Sequence, residues 1–170
     1  NGSANKFVDV LLVSASKSNN EAYAHAFKQA GFKPISFEIK AVSMLRFLKY
    51  VGMLTDSNEN VLVADVKLPT IDFSIFHGTG LKLTRQSERN IHEIKNMTQE
   101  QFLDEIEQET SRLLHFYHYN MNQREQTVSK FIISGDAGAL KLAPKIEERL
   151  WMPVKTVPMN RLRFGADHVG

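Results

Sequence analysis

From residue 60 onward the hydrophobic period switches in a set order, and that order limits the folds open to the chain. Residues 60–66 (Asn-Val-Leu-Val-Ala-Asp-Val) form an apolar, β-branched run of strand length. Residues 71–77 alternate, with Ile71, Phe73 and Ile75 on one face and Asp72, Ser74 and Phe76 on the other. Gly78-Thr79-Gly80 suits a tight hairpin turn, after which residues 81–85 pair back. The period then becomes helical. Thr98 and Gln101 have the spacing of a capping box. Behind them Phe102, Ile106, Leu113 and Tyr117, flanked by Leu103, Thr110 and Leu114, predict a long helix running to Tyr119 or Met121. A second apolar run, Lys-Phe-Ile-Ile-Ser, enters a glycine turn at Gly135, and Pro144 fits the first turn of a helix over 143–150. Residues 154–157 read as a last strand. The order is β-β-β-α-β-α-β, an α/β arrangement.

Ahead of this stretch, residues 7–15 read as a buried strand. Tyr23, Ala26, Phe27 and Ala30 give a helix over 18–30, stopped by Gly31. Residues 34–39 read as a second strand. Val42, Leu45, Leu48 and Tyr50 or Val51 mark a helix over 41–54. The polar run 56–60 (Asp-Ser-Asn-Glu-Asn) is the best boundary. The expectation is a small strand–helix–strand–helix subdomain over 7–55, a second subdomain over 60–158, and a tail over 159–170.

Bulk properties narrow the function classes. A chain of 170 residues with 42% hydrophobic content can build a real core. It has no cysteine, which removes disulfides and thiolate metal sites and fits a reducing compartment. A net charge of +2 is too small to argue for nucleic acid, which is not expected as a partner. The apolar runs are too short to cross a bilayer, so direct membrane insertion is not expected. The first residue is Asn1, and the expectation is a chain that starts inside a longer protein, as a C-terminal fragment, or follows a cleaved tag.

Four stretches in this order resemble the PilM family of type IV pilus assembly proteins, actin-like and related to the cell-division protein FtsA. They are Val10-Leu11-Leu12-Val13-Ser14-Ala15 with the later Ala30-Gly31-Phe32-Lys33-Pro34; residues 60–66; Ser111-Arg112-Leu113-Leu114-His115-Phe116-Tyr117; and Ile133-Ser134-Gly135-Asp136-Ala137-Gly138 with residues 145–150 and Pro153-Val154. The resemblance implies that residues 60–158 are one half of an actin-like, ribonuclease-H-like fold. It implies a cytoplasmic adaptor held at the inner face of the membrane through its partners. Those partners would be membrane-anchored pilus-assembly proteins, bound through a short cytoplasmic tail. In the family that tail docks on the first half of the protein, most of which would precede residue 1. Homo-oligomerisation stays open.

The same resemblance places a nucleotide site at Asp65, Lys67, Thr70, Ser134, Gly135, Asp136 and Gly138, and the sequence departs from the family there. Lys67 stands where the phosphate strand carries glycine, and a side chain there obstructs close backbone approach. Asp136 stands at the second glycine of the adenosine loop and sets a negative charge near a polyanion. An open cleft between the two turns would keep a nucleotide site alive, and a cleft filled by Lys67 paired with Asp136 would argue against one. Only about a dozen residues lie between Arg85 and Thr98, where a full family member carries a further subdomain. The site therefore reads as degenerate. Asp65 and Thr70 are either pocket remnants or a strand-end acid and a turn-capping hydroxyl. Gly135 and Gly138 either cradle adenosine or serve a tight connection. No cofactor is expected of this chain. The alternative is an actin-like ATP-binding protein, or weak ATPase, whose ATP and magnesium pocket is completed by residues outside it.

Other residues offer less. His115 and His118 share a helix face but make an incomplete metal set, so no metal is expected. Lys141, Lys145, Arg149, Lys155, Arg161 and Arg163 read as a solvated face. No Ser–His–Asp or paired-carboxylate arrangement can be assigned, and no catalytic residue is expected.

Overall fold

The structure, a computed structural model, describes residues 12–55, 58–90, 96–121 and 127–158. Its centre is a five-stranded sheet in the order β3-β2-β1-β4-β5. Strands β1 (Asn60–Lys67), β2 (Thr70–His77) and β3 (Gly80–Glu88) form an antiparallel meander. Strand β4 (Val128–Gly135) lies parallel to β1, and the short β5 (Val154–Thr156) lies parallel to β4. The helices are α1 (Lys17–Gln29), α2 (Lys40–Tyr50), α3 (Gln99–Phe116), α4 (Ala137–Leu140) and α5 (Ala143–Leu150). From β1 onward the expected order is present, with the one-turn helix α4 added before α5.

The sheet is covered on both faces, which explains why β1 and β4 read as nearly unbroken apolar runs. Alternation sends Leu62, Ala64 and Val66 to one face and Val61 and Val63 to the other. On the first face Ile71, Phe73, Phe131 and Ile133 meet Phe102, Leu103, Ile106 and Leu113 of α3 and Ile146 of α5. On the second, Val61, Val63, Phe76 and Ile132 meet Leu48 of α2 and Leu54 just after it.

Helix α3 starts where its capping box says it should. The Gln101 N–H donates to the Thr98 hydroxyl at 3.2 Å, and the Thr98 N–H donates to the Gln101 side-chain oxygen at 2.8 Å. Past Phe116 the helix widens into a π-turn over Tyr117–Met121, matching the expected end at Met121. Ion pairs join it to its neighbours. Glu105 pairs with Arg89, and Glu109 pairs with Arg85 at 3.6 Å and, within the helix, with Arg112 at 2.6 Å. Arg149 of α5 bonds Asp104 and meets Glu100 at 2.5 Å and Glu107 at 3.4 Å.

Chain contacts divide between Lys40 and Ala41, so α2 belongs with the sheet. Leu48 and Leu54, which precede the polar run at 56–60, pack with the sheet that follows it, and Asp56 and Ser57 lie outside the described residues. In the leading unit α1 forms as expected, with the Ser16 hydroxyl accepting from the Asn19 N–H. The expected strand over 34–39 is not formed. Ile35 and Phe37 are exposed in irregular chain, and among the described residues no strand pairs with them. An extended propensity without a pairing partner does not make a strand. Of the expected strand over 7–15, residues 12–15 are irregular and the rest lie outside the described residues.

One buried polar cluster ties α3 to the sheet. The Tyr117 hydroxyl donates to Asn60 Oδ1 at 3.0 Å, and the His77 Nδ1 lies 3.0 Å from the same oxygen. Burial pushes the Tyr117 phenol above its ordinary value of 10.0. A raised phenol pKa contributes stability below the unfolded value and loses it as pH rises through the folded value. Stability is therefore expected to fall above about pH 10. Tyr117→Phe is expected to flatten that fall and to cost about 1 kcal/mol at neutral pH. Urea midpoints at pH 7 and above pH 10 check both.

Candidate functional site

The site predicted from sequence centres on the carboxyl ends of β1 and β4, where open α/β folds bind ligands. Strand register sets Asp65 opposite Ser134 and Val66 opposite Gly135. Thr70 opens β2 directly across from Lys67, and Gly138 sits in α4. The seven residues are thus neighbours, but they divide into two groups.

Asp65, Lys67 and Ser134 form the first group. Alternation puts Asp65 and Lys67 on the α2 face with Val61 and Val63, and Ser134 on that face with Ile132. Asp65 is 2% exposed. Its Oδ1 accepts from the Ser134 hydroxyl at 2.7 Å, and its Oδ2 lies 3.5 Å from the Lys67 ammonium. A carboxylate this deep needs such partners, since burying it alone costs far more than the pair returns. Lys67 is therefore directed to Asp65. Of the two arrangements the sequence left open, a Lys67–Asp136 pair filling the space or an open cleft, the pair is not formed, because residues two apart on a strand share a face and Asp136 is turned the other way.

Asp136 is occupied by backbone. Its Oδ2 accepts from the Leu68 N–H at 3.2 Å, and its own N–H donates to the Val66 carbonyl at 2.8 Å. These bonds staple the β1–β2 hairpin to the turn after β4. The hairpin is closed by the Thr70 hydroxyl, which donates to the Lys67 carbonyl at 3.1 Å, and its Leu68–Pro69 peptide is cis.

The two glycines differ. Gly135 has φ +108, and a Cβ built on it would lie 1.9 Å from the Val66 carbonyl oxygen. Glycine is thus required there for the approach of β4 to β1. A Cβ on Gly138 would meet no heavy atom within 4 Å. The space it faces is a cleft of about 300 Å³ on the α3 side of the sheet. Val66, Leu68, Met97, Phe102, Ala139 and Leu142 supply its apolar lining; Thr98, Gln99, Asp136 and Gly138 complete it. Asp136 is the one charged side chain in that lining, so among the described residues no cation faces a phosphate there.

Sequence reasoning named Asp136 and Gly138 of this cleft and missed its apolar walls. Phe102 was legible only as a helix core position, which it also is. Leu68, 40% exposed in a tight hairpin, was the available signal. The remaining candidates are dispersed. His115 and His118 both pack on Tyr119, with ring centroids 4.4 and 5.2 Å apart. Arg149 is held by acids of α3, and Arg161 and Arg163 lie outside the described residues. No helix among the described residues is long and apolar enough to cross a membrane.

No protein-family model matches the chain, and no curated protein matches it. Solved structures do. A chain of a PilM–PilN type IV pilus biogenesis complex superposes with a TM-score of 0.61 at 15% identity, over 81% of this chain and 47% of that one. The ethanolamine utilization protein EutJ from Carboxydothermus hydrogenoformans superposes with a TM-score of 0.56 at 14% identity, over 84% of this chain and 57% of EutJ. The chain spans about half the length of these structures. At such identities the likeness speaks for fold, and with the five-stranded mixed sheet it shows an α/β, actin-like fold.

Proposed function

We propose that this chain is part of a non-catalytic adaptor of type IV pilus assembly, similar to PilM. It works in the cytoplasm at the inner face of the membrane and is held there by membrane-anchored pilus proteins. The observation that carries the reading is how the residues at the strand ends are used. Lys67 serves Asp65, Asp136 serves the Leu68 and Val66 backbone, and Gly135 lies against Val66. These groups hold the chain's own turns together. The likeness to a chain from a PilM–PilN complex supports the choice of pathway.

The alternative is an actin-like ATP-binding protein whose pocket is completed by further residues. The open cleft at the carboxyl ends of two parallel strands favours it. Two measurements on the full-length protein separate the readings. Affinity capture from its own cells is expected to recover membrane-anchored pilus proteins. Calorimetry with ATP and magnesium is expected to show no saturable binding, and Lys67→Gly is expected to strengthen binding if the turn is a degraded phosphate hairpin. Micromolar ATP affinity together with hydrolysis would sink the adaptor reading and establish the alternative.

A further inference from the structure

The cleft beside Gly138 lacks cations among its described lining, yet it lies open between a hairpin, the start of α3 and α4. Its volume of about 300 Å³ is at the lower end of ligand sites, which run from roughly 300 to 1,000 Å³. Its mainly apolar walls suit an aliphatic side chain better than the phosphates of a nucleotide. Asp136 stands in the lining. One residue beyond the lining Gln99, Glu100 opens a run of acids in which Glu100, Asp104 and Glu107 share the single guanidinium of Arg149. Those acids are engaged by Arg149, so the charge that faces the cleft itself is that of Asp136. The α3 N-terminus opposes this with about half a positive charge. Its capping box already satisfies two of the groups there, and Asp136 sets a full negative charge against the remainder.

We infer that the cleft takes up an aliphatic side chain of a protein partner, with a lysine or arginine of the same segment set against Asp136. This rests on the adaptor reading and adds which surface is used and what sequence class the partner presents. The walls Val66, Phe102 and Leu142 provide the apolar contact. The Asp136 carboxylate keeps its bond to the Leu68 N–H and offers its remaining lone pairs to the cation. Such a site rejects acidic segments and phosphorylated ones through like charge.

The test presents the full chain to a random linear peptide library displayed on phage. Enriched peptides are expected to place an aliphatic residue beside lysine or arginine. One is then synthesised, and its affinity is read by fluorescence anisotropy. Gly138→Phe adds bulk at a lining position where a Cβ meets no heavy atom within 4 Å, and is expected to weaken binding by at least about tenfold. Asp136→Asn keeps an acceptor for Leu68 and removes the charge; it is expected to weaken binding by about three- to fivefold and to lessen its salt dependence. Enrichment of acidic or purely polar peptides overturns the inference, as does equal affinity in folded Gly138→Phe. If pilus proteins are captured by wild type and Gly138→Phe alike, the adaptor reading stands and this surface assignment fails. If basic–aliphatic peptides bind here but no pilus protein is captured, the surface stands and the pathway fails.

Discussion

Gly135→Ala is expected to destabilise the chain by roughly 2–6 kcal/mol, read as a lower urea midpoint with little change in slope. Two costs combine. An L-residue held at φ +108 costs roughly 1–3 kcal/mol. Forcing a methyl group to within 1.9 Å of the Val66 carbonyl adds roughly 1–3 kcal/mol as β4 shifts away from β1. The shift cannot stay local, because Val66 also accepts the Asp136 N–H and the next turn hangs on that bond. Single domains have only about 5–15 kcal/mol in total, so much of the margin would go. Gly138→Ala, three residues on, is the control. Nothing obstructs its Cβ, and it is expected to be neutral or stabilising by up to about 1 kcal/mol. Equal midpoints for the two variants would refute the assignment of Gly135 to strand packing.

Leu48→Ala is expected to cost about 2–5 kcal/mol. Leu48 has 0% exposure and packs with Val61, Val63, Phe76 and Ile132 on the second face of the sheet. Removing most of its side chain leaves a cavity that the strands, fixed by pairing on both sides, cannot collapse to fill. Tyr50, two residues further along the same helix, is 80% exposed, and Tyr50→Ala is expected to change stability by less than about 0.5 kcal/mol. The same packing predicts the outcome of truncation. A chain starting at Ala41 keeps both sheet faces covered and is expected to fold cooperatively. One starting at Asn60 leaves Val61, Val63, Phe76 and Ile132 without their helix and is expected to aggregate. Cooperative folding of the shorter chain would restore the boundary at 56–60.

The parts of the fold legible in the sequence are those whose signal is local. The alternation of β2, the Gly78–Thr79 turn, the Thr98–Gln101 box and Pro144 in the first turn of α5 each report a short-range rule, and each element stands where it was expected. The strand over 34–39 failed because extended propensity needs a partner that lies elsewhere in the chain. The division of contacts falls at Lys40–Ala41, ahead of the boundary expected at 56–60, for a related reason. Polar turn composition looks the same between domains and between two packed elements, and only the burial of Leu48 and Leu54 distinguishes them.

The candidate site shows the same division. That Asp65, Lys67, Gly135 and Asp136 would gather at strand ends follows from the order of elements, because parallel strands joined through helices bring their carboxyl ends together. What each would do there does not follow. Two glycines of equal standing in the sequence became one that packs against Val66 at no distance to spare and one that faces an open cleft. Lys67 and Asp136, which oppose each other on paper, were sent to different partners by the alternation of a strand and the geometry of a turn. The sequence by itself determined the order, period and caps of the elements, since these depend on neighbours a few residues apart. The tertiary structure alone decided which face each polar group occupies and which glycine is indispensable, since both depend on what lies across a strand interface some 69 residues away in the chain.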